Sequence, residues 1–108
     1  MDIWTSLGAF AFFESERLSF RPLIFLDRFD LHEIVSNPKN LQFFFPATQT
    51  QHETDCLLVH YFMKEPLGVW AIVDKELDKM IGVVRFEKID VQKRTAELGY
   101  FLNASYWG

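Results

Sequence analysis

The sequence contains a single cysteine, Cys56, so it cannot form an internal disulfide or a cysteine-based zinc site. A lone cysteine fits the reducing cytoplasm, where we therefore expect the protein. Cys56 falls within a predicted helix, and we expect a buried structural side chain there, with a catalytic thiol as the alternative. The three histidines, His32, His52 and His60, lack the spacing of a helical metal-binding motif. We expect surface imidazoles and no metal site.

The sequence also lacks an excess of positive charge. Its 15 acidic side chains outnumber 11 basic ones, for a net charge of -4, whereas binding to a phosphate backbone requires a basic surface. No apolar run approaches the ~18 residues of a membrane-spanning helix. The apolar N-terminal segment lacks the basic start and the cleavage site of a signal peptide. The sequence therefore predicts neither a nucleic-acid partner nor a membrane.

Apolar and aromatic side chains are what the chain has in quantity. Hydrophobic residues make up 49% of the 108 positions, and 12 residues are phenylalanine. This composition is unlike that of a disordered chain. A folded chain of this size buries roughly 60–65% of the surface that it exposes when unfolded. No repeat or linker interrupts the sequence, so we expect residues 1–108 to form one domain with one core.

Apolar residues recur at helical spacing near the start of the chain, at Ile3, Trp4, Leu7 and Phe10. They predict a short amphipathic helix that packs on the body of the domain. A membrane-surface helix is the alternative, although the polar face carries no Lys or Arg. Residues 18–23 then alternate apolar and polar side chains, which predicts the first strand.

Two further helices have recognisable ends. Asp27 is the predicted N-cap of the first helix, which the Ser-Asn-Pro sequence at 36–38 should end. The second begins with a predicted capping box, in which Thr50 accepts from the Glu53 amide and Glu53 accepts from the Thr50 amide. Between the helices, residues 41–46 form an aromatic loop that should plug the core or line an acceptor cleft.

Three more strands are predicted at residues 69–74, 80–86 and 95–102. The charged connections between them are short enough for hairpins, so we expect an antiparallel meander with the first strand added at one edge. The order of strand, helix, helix and three strands predicts an α+β fold.

Several short motifs give this pattern a family likeness. Residues 94–108 read R-T-A-E-L-G-Y-F-L-N-A-S-Y-W-G. They resemble the E-L-G-Y strand and W-G loop of the GNAT acyltransferases, in the branch that includes ribosomal-protein N-terminal acetyltransferases. Further motifs follow the expected order: S-E-R-L-S-F-R-P-L at 15–23, S-N-P at 36–38, W-A-I at 70–72 and I-G at 81–82. The match extends from about residue 15 to 108, and structural context has to test it.

The resemblance implies the amino-terminal half of a GNAT fold, acetyl-CoA as co-substrate and an amine acceptor, with a protein N-terminal amine as one candidate. It implies that the pantetheine arm lies along the last strand, whose backbone could also stabilise the oxyanion. These cofactor contacts fall on the backbone of Tyr100, Phe101, Leu102 and Asn103. Trp107 and Gly108 would begin the loop that holds the pyrophosphate.

Because the sequence ends inside that loop, the resemblance predicts a truncated GNAT domain that is inactive alone. The alternatives are a non-catalytic oligomerising or binding module and the remnant of a broken reading frame. We also expect a homodimer, formed through the edge of the last strand or through the aromatic N-terminal segment.

Glu97 is the predicted catalytic base, since related enzymes often carry a carboxylate that faces the acceptor at this position. The alternative is structural. Glu97 would then form an ion pair across the hairpin with Arg85 or Lys79, or act as a polar tether.

Overall fold

The computed structural model describes residues 2–41, 46–90, 92–93 and 95–106, and it describes only the backbone of residues 87–89, 95 and 96. Most of the aromatic loop predicted at 41–46, and both Trp107 and Gly108, therefore lie outside the described residues. The elements, in chain order, are α1 Ile3–Ala9, β1 Phe13–Glu14, β2 Leu18–Arg21, α2 Arg28–Val35, α3 Pro38–Leu41, α4 Gln51–Leu57, β3 Val69–Asp74, β4 Lys79–Asp90 and β5 Thr95–Leu102. A 3₁₀ turn at Phe25–Asp27 precedes α2, and a π-helical segment, Leu58–Met63, continues α4.

The strands form one antiparallel sheet in the order β1-β2-β3-β4-β5. This confirms the α+β fold and the meander of β3, β4 and β5. The first predicted strand, β2, adds to the β3 edge of the meander as expected. A further strand that was not predicted, β1, pairs with the other side of β2. Two residues are too few for an alternation signal, and β1 is held by side chains: the Phe13 ring stacks on Phe20 with centroids 4.5 Å apart.

Helices α2 and α4 cover one face of the sheet. The hydrophobic core lies between the helices and the sheet. Its helical side includes Leu31, Ile34, Leu58 and Phe62, all fully buried. The sheet side includes Ala71, Val83 and Phe101. The Phe62 and Phe101 rings lie 5.9 Å apart, which ties the π-helical segment to the centre of β5. Strand β5 is therefore fixed from one side by the core.

The N-terminal segment covers only part of the opposite face. Helix α1 is present as predicted, and Asp2 caps it by accepting from the Thr5 amide at 2.9 Å. Its packing is slighter than expected, because Leu7 is its one buried residue. Trp70 fastens the segment to the sheet by donating from Nε1 to the Phe10 carbonyl at 3.1 Å. The part of this face near β5 stays open.

Asp27 occupies the N-cap position of α2 as predicted, but its side chain does not form the capping hydrogen bond. The Asp27 carboxylate is buried and does not cap α2. It accepts instead from both terminal nitrogens of Arg21, at 2.9 and 2.8 Å, and from the Ile24 amide at 2.8 Å. The ion pair with an arginine on β2 satisfies the carboxylate better than a single amide would.

The capping box at the start of α4 is half confirmed. The Thr50 hydroxyl accepts from the Glu53 amide at 3.1 Å, as predicted. The Glu53 carboxylate accepts from the Gln49 amide at 2.9 Å, so the predicted return bond to the Thr50 amide was wrong.

The expectations for Cys56 and His32 were also wrong, whereas His52 and His60 are exposed as expected. Cys56 is exposed, because α4 turns Thr54 and Leu58 inward, and its Sγ lies 3.7 Å from Nε2 of His52 one helical turn earlier. His32 is half-buried, and its Nδ1 lies 2.6 Å from the Thr54 hydroxyl. Within the described part of the chain no three metal-ligating side chains cluster, and each helix is too short or too polar to cross a membrane.

An ion pair joins α2 to α4. Arg28 Nε donates to Asp55 at 2.9 Å, and Gln51 Nε2 donates to the same carboxylate at 3.0 Å. The hydrogen bond from Arg28 lowers the pKa of Asp55 from 3.8 to about 2. A carboxylate with a lowered folded-state pKa adds stability above its unfolded pKa and loses it as the pH falls through the folded pKa.

We therefore expect Asp55→Asn to destabilise the protein at neutral pH, by an amount that shrinks between about pH 5 and pH 2. Urea unfolding of both proteins across this range measures the difference. A difference that is the same at pH 7 and pH 3 would mean that the charge of Asp55 contributes nothing to stability.

Candidate active site

The hydrogen-bond pattern of β5 decides which of its backbone groups a ligand can reach. The Asn103 amide donates to the Ile81 carbonyl at 2.7 Å, and the register pairs Leu102 with Gly82 and Phe101 with Val83. Hydrogen-bonded pairs alternate with non-hydrogen-bonded pairs in an antiparallel ladder. The backbone of Phe101 and Asn103 is thus directed to β4, whereas that of Tyr100 and Leu102 is directed away from it.

Strand β5 is the outer strand on this side of the sheet, and none of the described residues forms a strand beyond it. The amides and carbonyls of Tyr100 and Leu102, about 7 Å apart along the strand, therefore line an accessible edge. We call these groups the β5 edge. They are the sort of backbone groups to which an extended ligand adds as a further strand.

Apolar surface lies next to the β5 edge. The uncovered part of the sheet forms a groove of about 650 Å³ whose lining includes Phe20, Ile72, Val84, Tyr100 and Leu102. Sequence reasoning missed this groove, because the alternation of each strand shows which residues share a face but not which face the helices leave open.

Gly82 allows β4 and β5 to approach at this point. A Cβ on residue 82 would lie 2.7 Å from the Phe101 carbonyl oxygen and 2.5 Å from Leu102 Cδ2. Both distances are shorter than real Cβ contacts. The I-G motif is therefore explained by the close approach of the strand that carries the β5 edge.

Asn103 begins a tight turn, and its polar groups form hydrogen bonds within the protein. It is 3% exposed, its carbonyl accepts from the Tyr106 amide at 3.0 Å, and its Oδ1 accepts from the Ser105 amide at 3.1 Å. The Ala104 amide donates to Asn40 Oδ1 at 2.9 Å. We call residues 103–106 the β5 turn. Its three amides after Asn103 are all satisfied within the protein, so any row of amides that cradles a phosphate would follow Tyr106.

Glu97 lies at the other end of β5 and is exposed. It pairs in register with Lys88, and Arg85 pairs with Gly99, two residues along. The Arg85 guanidinium lies 4.3 Å above the Tyr61 ring and donates to the Tyr61 carbonyl at 3.3 Å. The alternative partner Lys79 is excluded, because its Nζ contacts Glu33 at 2.8 Å and Asp30 at 3.4 Å, at the opposite end of the hairpin.

The sequence matches the family model of the acetyltransferase (GNAT) domain over residues 17–108. No curated protein matches the chain at a significant level.

Solved structures share the fold. The GNAT-family acetyltransferase of Bacillus anthracis is 21% identical, with a TM-score of 0.72 over 89% of this chain and 55% of its own length. A ribosomal-protein alanine acetyltransferase of Vibrio fischeri is 23% identical, with a TM-score of 0.64 over 90% and 58%. The ribosomal-protein α-N-acetyltransferase RimL, solved with coenzyme A, is 26% identical, with a TM-score of 0.69 over 87% and 56%.

The chain thus spans slightly more than half the length of these structures. The family match covers most of the sequence, and the fold agrees with the motifs around β2, β3, β4 and β5. The chain belongs to the GNAT acetyltransferase family.

Proposed function

We propose that this chain carries the pantetheine-binding edge of an acetyl-CoA-dependent N-acetyltransferase. The observation that carries the proposal is the outward direction of the Tyr100 and Leu102 backbone groups on an edge strand. Of the four residues to which the resemblance assigned contacts with the pantetheine arm, these two offer outward backbone hydrogen-bonding groups. The backbone groups of Phe101 and Asn103 are directed to β4 and hold β5 in the sheet.

The acceptor is an amine, and a protein α-amine is the candidate that the likeness to RimL favours. In the reaction the amine nitrogen attacks the thioester carbonyl, the C–S bond breaks, and the coenzyme thiol takes up a proton as the amide forms. A backbone amide of the β5 edge would donate to the oxyanion of the tetrahedral intermediate. A pantetheine arm that runs along β5 from Leu102 towards Leu98 leads the thioester in the direction of Glu97, the proposed base.

The proposal includes a limit on the isolated chain. The amides of residues 104–106 are engaged within the protein, and Trp107 and Gly108, the proposed start of the pyrophosphate loop, lie outside the described residues. Contacts to the pantetheine arm alone leave most of the coenzyme unbound. We therefore expect the 108-residue chain to bind acetyl-CoA weakly and to be inactive, or nearly so, in transfer without further residues.

Tyr100→Pro tests the β5 edge. Proline removes the outward amide of residue 100 but no hydrogen bond of the β4–β5 ladder, and an edge strand tolerates that loss. We expect calorimetric titration to show that acetyl-CoA and acetyl-pantetheine bind the unaltered chain, that adenosine diphosphate does not, and that Tyr100→Pro weakens binding at least tenfold.

Tyr100→Phe is the matched control, because it keeps the backbone amide and loses only the hydroxyl. It should bind acetyl-CoA as the unaltered chain does. No saturable binding of acetyl-CoA up to millimolar concentrations would rule out the coenzyme-binding proposal for this chain.

A second candidate function, a non-catalytic oligomerising module, is favoured by the same edge. Leu98 and Tyr100 are 56% and 55% exposed, and an apolar edge strand readily pairs with another chain. We propose that two copies associate through β5, so acetyl-CoA should compete with the homodimer. Sedimentation at roughly 10–100 µM measures this, since association depends on concentration. A monomer throughout that range would rule out the dimer.

A further inference from the structure

We propose that Glu33 and Asn40 are positioning residues for the coenzyme site, which hold the β5 turn in the direction in which the chain leaves the β5 edge. The proposal rests on the proposed function, since it gives the turn its role. Neither residue belongs to a motif, and both lie far from β5 in sequence. Their hydrogen bonds to the turn and to Asn103 span 64 and 70 residues.

Asn40, in α3, connects α2 to the β5 turn. It is 7% exposed, its Nδ2 donates to the Ile34 carbonyl at 3.0 Å, and its Oδ1 accepts from the Ala104 amide at 2.9 Å. A carbonyl on one side and an amide on the other fix the orientation of the side-chain amide. Asn40 therefore holds Ala104 at a set distance from α2.

Glu33 holds the turn from a second direction. Its Oε1 accepts from Asn103 Nδ2 at 3.1 Å and its Oε2 accepts from Lys79 Nζ at 2.8 Å. These partners, Lys79 foremost, lower the pKa of Glu33, so the carboxylate is charged at neutral pH. Lys79 also lies 5.3 Å from the centre of the Tyr106 ring, so the first and last residues of the turn contact the two members of one ion pair.

These contacts act on the turn rather than on the core. The core between the sheet and the helices includes Leu31, Ile34, Val83 and Phe101. Glu33 and Asn40 are not among its apolar side chains. The turn is the piece of chain that separates Leu102, at the β5 edge, from the position where the pyrophosphate loop would begin. Displacing it changes the geometry between the two parts of the coenzyme site while leaving the core intact.

The experiment compares Asn40→Ala, Glu33→Ala and Glu33→Gln in the 108-residue chain. Amide exchange under native conditions reports on Ala104 and Ser105, and calorimetry reports on the affinity for acetyl-CoA. We expect both alanine variants to raise exchange at these amides and, because the turn also holds the adjoining Leu102 at the end of the β5 edge, to weaken acetyl-CoA binding about tenfold. Glu33→Gln keeps an acceptor for Asn103 Nδ2 and should restore most of both properties.

Arg28→Ala is the control. It breaks the ion pair between α2 and α4 and lowers stability without touching the turn, so it should change neither readout beyond its effect on global unfolding. Exchange at Ala104 that stays as in the control, or unchanged affinity when exchange has risen, would overturn the proposal. If the unaltered chain binds no acetyl-CoA, the proposed function fails, and the exchange data alone decide whether Glu33 and Asn40 hold the turn.

Discussion

Gly82→Ala is expected to destabilise the protein by about 1–3 kcal/mol and to reduce acetyl-CoA binding at the same time. The new Cβ would lie 2.7 Å from the Phe101 carbonyl oxygen, which is backbone and can move only if β5 moves. For a domain of this size each kcal/mol corresponds to roughly 4–8 °C in Tm. Thermal unfolding and calorimetric titration of the variant measure the two effects.

Gly8→Ala is the control for this prediction. A Cβ on residue 8 meets nothing within 4 Å, and alanine favours the helical conformation of α1 by roughly 1 kcal/mol over glycine. The control should be neutral or slightly stabilising. If Gly82→Ala has the same Tm as the unaltered chain, β4 and β5 do not approach as closely as the structure has them.

Glu97→Gln is expected to reduce acetyl transfer to a peptide amine by about 100-fold or more, with acetyl-CoA affinity unchanged. Glutamine keeps the size of the side chain and cannot take up the proton of the attacking amine. The test requires a form of the protein with measurable transfer, because we expect the 108-residue chain to be inactive, or nearly so, by itself. Transfer rates and coenzyme affinity are then measured on the same preparations.

Glu76→Gln serves as the control, since Glu76 is also exposed but lies in the β3–β4 connection. It should transfer acetyl groups at the unaltered rate. Full activity of Glu97→Gln would assign Glu97 to the structural role that remained open, with Arg85 as the candidate partner.

The parts of the fold that the sequence predicted are those with a local or periodic signal. Alternating side chains located β2, β3 and β5 to within two residues. The Thr50 hydroxyl caps α4 by accepting from the Glu53 amide, so the helix begins at Gln51 as expected. The end of β4 was placed too early, because the strand continues through an irregularity after Phe86 into a charged segment.

The parts that sequence reasoning missed depend on contacts between distant residues. Asp27 is a residue type that favours the N-cap position, but its carboxylate forms an ion pair with Arg21 on the neighbouring strand and not a capping hydrogen bond. Asn40 gives no signal in the sequence, since its partner Ala104 offers only a backbone amide. The candidate site shows the same division: the motif located β5, whereas the direction of each backbone group followed from the register with β4.

The central claim is that the outward backbone groups of β5 bind the pantetheine arm. The most direct measurement is amide hydrogen exchange of Tyr100, Phe101 and Leu102, residue by residue, with and without saturating acetyl-pantetheine. We expect exchange at Tyr100 and Leu102 to slow when the ligand is present, while Phe101, already bonded to β4, changes little. Binding that leaves the exchange of Tyr100 and Leu102 unchanged would place the ligand elsewhere and contradict the claim.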